Sequence, residues 1–159
     1  MSLDRLCLLI DIRKGYFAFE IHRKEVVKVP SAFYPVGSAP VLPNGTQVPL
    51  SPAFRVQSVL YLSGQLAFDA SGKLVESDIV AQTRQCLENI EALLRVEGVD
   101  RSSIIKTTVW LVDAQDFRAF NNEYSAFFGD HRPARSTVRS DLLVPGALVE
   151  IEAIAYLKE

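Results

Sequence analysis

The clearest periodicity in the chain runs from residue 79 to residue 94. Ile79, Thr83, Cys86, Leu87, Ile90, Leu93 and Leu94 recur three and four positions apart, which gathers them on one stripe of a helix. Ser77 and Asp78 stand where a side-chain cap is needed, and Gly98 stands where the helix must stop. A second stripe of Phe117, Phe120, Tyr124 and Phe127 or Phe128 repeats the spacing between a cap at Asp113 and a stop at Gly129. Four further stretches read as strands. Residues 56–65 carry Val59, Leu60, Tyr61 and Leu62, residues 104–112 are rich in β-branched side chains, and residues 136–142 and 148–156 flank the turn Val144-Pro145-Gly146. The order strand, helix, strand, helix, strand, strand predicts an α+β fold with two helices on one face of a mixed sheet.

The first third of the chain has a different texture. Residues 6–12 and 16–22 read as two strands around Arg13-Lys14-Gly15, a hairpin, or else the first 25 residues are a tail outside the fold. Residues 30–52 hold Pro30, Pro35, Pro40, Pro43, Pro49 and Pro52 with Gly37 and Asn44-Gly45, a spacing that breaks helices and permits at most short edge strands. The division expected is therefore an N-terminal extension over 1–45 and a folded domain over 46–159. The apolar residues of 6–12 and 16–21 would invite association if left bare, so the extension is expected to dock on the body or on a neighbouring copy.

Composition narrows the classes. A chain of 159 residues with 48% hydrophobic and 23% charged residues is one globular domain's worth, which excludes a disordered or fibrous chain. No apolar run approaches membrane-spanning length, and Leu6-Cys7-Leu8-Leu9-Ile10 is short and flanked by Asp4 and Asp11, so neither a membrane span nor a signal peptide is expected. Two cysteines, Cys7 and Cys86, make neither a disulfide framework nor a metal cluster. A cytoplasmic location is expected. The net charge of −2 offers no basic track. Arg132, Arg135 and Arg139 cluster, but Glu150 and Glu152 follow, which argues against nucleic acid and leaves small acidic ligands open.

No phosphate-cradling loop, GxSxG elbow or HExxH pair is present. His22 and His131 lie far apart and read as ordinary packing or surface residues, and Cys86 on the apolar stripe reads as a buried thiol. Asn121 is more informative, because it lies four residues after Phe117 and three before Tyr124, on or beside the apolar face. Its amide either ties the helix to a loop or is presented at the rim of a pocket. Along the last strand Val149, Ile151, Ala153 and Ala155 alternate with Glu150, Glu152 and Ile154. The carboxylate-bearing face is either solvated or set against another subunit, with Arg135 or Arg139 from a neighbouring strand supplying the opposite charge. An arginine fork recognises a planar carboxylate through two parallel hydrogen bonds.

Six blocks in order resemble the Rid (YjgF-type) family: Leu62-Ser63-Gly64-Gln65-Leu66, residues 81–90, Ile105-Lys106-Thr107-Thr108-Val109, Asp116-Phe117 through Asn121 and Tyr124, Pro133-Ala134-Arg135-Ser136-Thr137-Val138, and residues 149–155. The resemblance covers residues 54–157. It implies a chorismate-mutase-like sheet of six strands with two helices on one face, assembled as a homotrimer with clefts between subunits. It also implies a small 2-imino or 2-keto acid as ligand, no cofactor, and hydrolysis of enamines and imines such as 2-aminoacrylate to the 2-keto acid and ammonia. By the same resemblance Arg135 holds the substrate carboxylate and Glu150 orients or deprotonates the water. Ser63, Gly64, Asn121, Thr137 and Phe54 border the cleft, with Thr137 where archetypes often carry cysteine. One departure stands out. The archetypes carry a cleft tyrosine upstream of the SGQ strand, and here the loop reads Val48-Pro49-Leu50-Ser51-Pro52-Ala53-Phe54, with Leu50 or Phe54 filling its space. Two other readings therefore stand beside the deaminase: a non-catalytic cleft that binds small carboxylates, and the endoribonuclease or translation-inhibitor activity attached to some members, which the acidic balance and the lack of a histidine pair oppose.

Overall fold

The structure, a computed structural model, describes residues 8–11, 16–21, 25–30, 32–41, 45–76 and 78–158. Cys7, His22 and Ser77 lie outside the described residues. Near the N-terminus β1 (Leu8–Asp11), β2 (Tyr16–Ile21) and β3 (Glu25–Pro30) form an antiparallel sheet in that order. The first two correspond to the hairpin expected from the sequence, and the third adds a strand that the apolar pattern did not single out.

The second sheet has six strands: β4 (Phe33–Val36), β5 (Ala53–Val56), β6 (Val59–Gln65), β7 (Ile104–Leu111), β8 (Ala134–Arg139) and β9 (Val149–Tyr156), in the order β4-β5-β6-β9-β7-β8. Only β7 and β8 run parallel, so the sheet is mixed. Two helices, α1 (Ile79–Val96) and α2 (Phe117–Phe128), pack on one face, as the element order predicts. β4 is the short edge strand that the proline spacing allows. Pro35 sits within it, opposite Phe54, and an edge is where a residue without an N–H is tolerated. No helix among the described residues is long and apolar enough to cross a membrane.

The signals at the helix ends act as expected, with one shift. Asp78 accepts a hydrogen bond from the Ala81 N–H at 2.9 Å, capping α1, and Gly98 beyond its end takes φ +72°, which glycine adopts without strain. Asp113 caps a single turn of tighter helix over Ala114–Asp116, accepting from the Gln115 N–H, and α2 begins only at Phe117.

Alternation along the strands gives the sheet two unlike faces. Leu60 and Leu62 of β6, Val109 and Leu111 of β7, and Val149, Ile151, Ala153 and Ala155 of β9 are all buried against Cys86, Leu87, Ile90 and Leu94 of α1 and Phe120, Tyr124 and Phe128 of α2. Gln82 on α1 is buried among them. Its side-chain amide donates to the carbonyls of Val75 and Gly146 at 3.0 and 2.9 Å, and its oxygen accepts from the Leu148 N–H at 2.8 Å. It thereby pins the loop ahead of β9 to the helix, since a buried amide is retained only when its partners are present. The opposite face carries Tyr61, Trp110, Glu150, Glu152 and Ile154, paired across the strands as Trp110 with Glu150 and Tyr61 with Ile154.

Candidate functional site

β8 closes the sheet at one edge, and its parity decides what each arginine can meet. In the parallel ladder Arg135 lies beside Thr107, Thr137 beside Val109 and Arg139 beside Leu111. Those three partners point toward the helices, so Arg135, Thr137 and Arg139 line the helix side of the edge strand. There the Arg135 guanidinium carbon stands 4.7 Å from the ring centre of Tyr124, 5.3 Å from Phe120 and 5.9 Å from Phe117. Three successive aromatics of α2 make a floor for the cation, whose positive charge is drawn to ring faces. Tyr124 is fixed in turn by a 2.8 Å hydrogen bond between its hydroxyl and that of Thr107, and burial pushes its phenol above the ordinary value, which keeps it protonated. Among the described residues Arg135 makes no ion pair, so its donors remain free for a planar anion.

Two polar groups flank this cation. The side-chain amide of Asn121, one turn along α2 from Phe117 and half-buried, makes no hydrogen bond among the described residues. The reading as a tie between helix and loop therefore finds no support among the described residues. The Thr137 hydroxyl oxygen is buried without a hydrogen-bond partner among the described residues. A buried unpaired hydroxyl is costly unless something completes it.

Glu150 occupies the other face of the sheet. Its carboxylate lies over Gly64, where a β-bulge in β6 sets two residues, Ser63 and Gly64, between the pairs Leu62–Ala153 and Gln65–Ile151. A Cβ on Gly64 would overlap the Glu150 Oε1 and come within 2.8 Å of its Cδ. The bare glycine is what lets the carboxylate settle onto the strand. Burial, with the neighbouring Glu152 charge second, raises the Glu150 carboxyl above the usual carboxylate range, and no ion pair to a described residue offsets this. Ser63 itself is committed: its hydroxyl donates to the Ser51 carbonyl at 2.7 Å, and its N–H bonds the Pro52 carbonyl at 2.9 Å. It holds the upstream loop to β6 and retains only acceptor capacity.

The sequence pattern left open that Arg135 or Arg139 would face Glu150 from a neighbouring strand. Within one chain the two arginines and Glu150 lie on opposite sides of the sheet, because β8 presents its odd-numbered residues toward α2 while β9 presents its even-numbered residues away from it. Arg139 instead donates to the Val112 carbonyl at 3.3 Å. Phe54 packs edge-on against Phe33, with ring centres 4.8 Å apart, on the Tyr61 side of the sheet and well away from Arg135. Leu50 is exposed in the loop ahead of β5. His131 bonds the Ile104 carbonyl through Nε2 at 2.7 Å and packs beside Phe128, a structural role. Cys86 is fully buried, and burial pushes its thiol up, which makes it a poor nucleophile. The aromatic floor was hidden in the sequence because Tyr124 and Phe120 read as core positions, and they are buried as core residues are.

Comparison with known proteins agrees with this architecture. The profile of the family described as Endoribonuclease L-PSP matches residues 43–157. A RutC family protein of Pyrococcus horikoshii is 40% identical over 134 residues, covering 84% of this chain and 98% of its own. The 2-iminobutanoate/2-iminopropanoate deaminase of Capra hircus is 43% identical over 108 residues, 67% of this chain and 79% of its own. The crystal structure of RidA from an Antarctic Psychrobacter superposes with a TM-score of 0.70 at 33% identity, covering 78% of this chain and 99% of that one. The matched profile spans most of the chain and a solved RidA structure superposes over 78% of it, so the chain belongs to the Endoribonuclease L-PSP family, the YjgF or Rid proteins.

Proposed function

We propose that the protein hydrolyses small 2-imino acids and their enamine tautomers to 2-keto acids and ammonia, as a homotrimer whose clefts lie between subunits. The observation that carries this reading is the Arg135 guanidinium, held on an aromatic floor at a sheet edge with no ion pair among the described residues. It supports bidentate capture of a substrate carboxylate. Glu150 lies on the far side of the same sheet, so Arg135 and Glu150 can share a substrate only if they come from different copies, which is what a cleft between subunits would supply.

The chemistry asks little of the protein. An imine carbon flanked by a carboxylate is already electrophilic, so holding it beside a located water supplies much of the rate. Water adds to the C=N carbon while its proton passes to the Glu150 carboxylate. Glu150 returns that proton to the nitrogen, giving the neutral carbinolamine, whose hydroxyl proton then passes by the same route to the nitrogen as C=O forms and ammonia leaves. One water is consumed, no electrons are transferred, and Glu150 ends as it began. A carboxyl raised above its ordinary range is better matched to accepting that proton near neutral pH. The test is the loss of 2-iminopropanoate generated in situ by an amino-acid oxidase. The protein is expected to speed its conversion to pyruvate and ammonia, and a rate equal to the protein-free control overturns the reading. Sedimentation at three times the 17.7 kDa chain mass is the expected assembly.

Gly64 offers a test of Glu150 placement that leaves its chemistry intact. Gly64→Ala puts a methyl where the Glu150 carboxylate lies, and the flexible side chain swings aside at little cost in stability. A displacement of this kind costs about 100-fold in turnover. The expected result is that loss, with the thermal midpoint nearly unchanged. Full turnover in the Gly64→Ala protein would separate Glu150 from the reacting water.

Leu50 favours a second reading. It leaves the upstream loop without the hydroxyl that the archetypes place in the cleft, and a cleft lacking a donor can bind a 2-keto acid without turning over an imine. Calorimetric binding of 2-ketobutyrate by a protein that leaves the imine lifetime unchanged would select it.

A further inference from the structure

On the helix side of β8, directly beyond Arg135, lies a cavity of about 240 Å³ lined by Leu111, Ala114, Phe117, Thr137, Val138 and Arg139. We propose that this cavity is the side-chain subsite of the Arg135 cleft and that it selects 2-imino acids carrying a branched aliphatic or benzyl side chain over those carrying a methyl. The inference rests on the deaminase reading of Arg135 and goes beyond it by naming the substrate's side-chain class.

Three observations converge. Phe117 belongs to both features: its ring centre is 5.9 Å from the Arg135 guanidinium carbon, and it also lines the cavity, so a ligand carboxylate on Arg135 and a side chain in the cavity are neighbours across one ring. Thr137 follows Arg135 by two positions on the same strand face, a step of about 7 Å, which is the reach of a short branched side chain from the carboxylate it accompanies. Its hydroxyl oxygen is buried without a partner among the described residues, beside the cavity that the same residue lines. The lining beyond that hydroxyl is apolar from Leu111, Ala114 and Phe117, and a cavity of about 150 Å³ already accepts benzene. A methyl would leave most of this space empty. Arg139 also lines the cavity and gives only its Nε to the Val112 carbonyl, so 2-oxoglutarate is the ligand that tests whether its remaining donors take a second carboxylate.

The test reads binding and turnover separately. Calorimetry with pyruvate, 4-methyl-2-oxopentanoate, phenylpyruvate and 2-oxoglutarate is run on the wild type and on Ala114→Phe, a substitution at an exposed turn position that points a ring into the cavity. Each buried methylene is worth about fourfold, so the wild type is expected to bind 4-methyl-2-oxopentanoate about fifty-fold more tightly than pyruvate, and Ala114→Phe is expected to bring that ratio close to one. Equal affinities in the wild type, a ratio that survives Ala114→Phe, or a first preference for 2-oxoglutarate would overturn the subsite. Turnover of the matching imines tells the two readings apart. Imine loss independent of side chain refutes the subsite and leaves the deaminase standing, whereas size-selective binding with no imine loss supports the subsite and refutes the deaminase.

Discussion

Arg135→Ala is expected to lower kcat/KM for a 2-imino acid by roughly 100- to 1,000-fold, about 3–4 kcal/mol of lost transition-state binding, while the chain keeps its fold. The size of the loss follows from what the guanidinium does. On the proposed reading the substrate carboxylate falls to Arg135, because among the described arginines Arg139 is turned to the Val112 carbonyl, Arg84, Arg95 and Arg101 are paired with Glu123 and Glu91, and Arg135 has no ion pair. The fold survives because Arg135 makes no ion pair among the described residues and sits on an edge strand. Its removal forfeits only its contacts with the three α2 rings, of order 1 kcal/mol at a partly exposed position. Arg135→Lys separates charge from geometry. An ammonium keeps the Coulombic attraction but cannot lie flat on the rings or donate in a parallel pair, so about tenfold of the loss should be recovered and no more. The measurement is the imine-loss rate beside a thermal melt. Wild-type kcat/KM in Arg135→Ala with an intact melt would remove the carboxylate anchor from this residue and the proposed function with it.

The elements that a sequence reading finds here are those whose hydrophobic spacing is strong. α1 carries its stripe almost without interruption, β9 alternates cleanly, and both lie where the pattern places them. β8 shows why the site was less legible. Read over 136–142, the strand offers Val138 as its apolar residue, and burial of apolar side chains would turn Val138 inward. In the structure Val138 is 48% exposed, the strand runs from Ala134 to Arg139, and the opposite parity, carried by Arg135 and Thr137, faces α2. Polar residues take the inward face because the sheet ends there and the helix presents aromatic rings that suit a cation. The register with β7 fixes that parity, and a register cannot be deduced from a six-residue strand of weak alternation. Gly64 was a site residue by resemblance alone. The reason for it, room for the Glu150 carboxylate over a bulge, depends on a pairing 86 positions away in the chain. Gln82 was passed over because an amide between apolar positions looks like an ordinary surface residue of a helix until its three backbone partners arrive from distant loops.

Glu150→Gln is expected to make the protein more stable and much less active, and both differences from the wild type should shrink as pH falls. Burial and the Glu152 charge raise the Glu150 carboxyl, so the folded chain resists the ionised form that the reaction needs. A carboxyl whose folded pKa lies above its unfolded value favours the native state fully below the unfolded pKa, and that contribution is lost as pH rises through the folded pKa. At neutral pH the wild type therefore carries a charge that weakens it, and glutamine removes that charge. The thermal midpoint of Glu150→Gln should exceed that of the wild type at pH 7, with the gap closing as pH falls below the ordinary glutamate range near 4.5. The activity gap narrows too. As pH falls through the raised pKa, the protonated carboxyl can no longer accept the proton of the attacking water, so wild-type kcat/KM should fall along an acid limb that lies above 4.5. Glu150→Gln should lower turnover by about 100-fold or more and abolish that limb. Glu152→Gln separates cause from coincidence, because it removes the neighbouring charge while leaving the base in place. Its acid limb should shift to lower pH with the plateau rate retained. An acid limb that persists in Glu150→Gln, or one that ignores Glu152→Gln, would assign the titrating group elsewhere. A residue that costs stability in its charged form, on a face where no described partner of its own chain offsets the cost, is what a base held ready for a proton should look like.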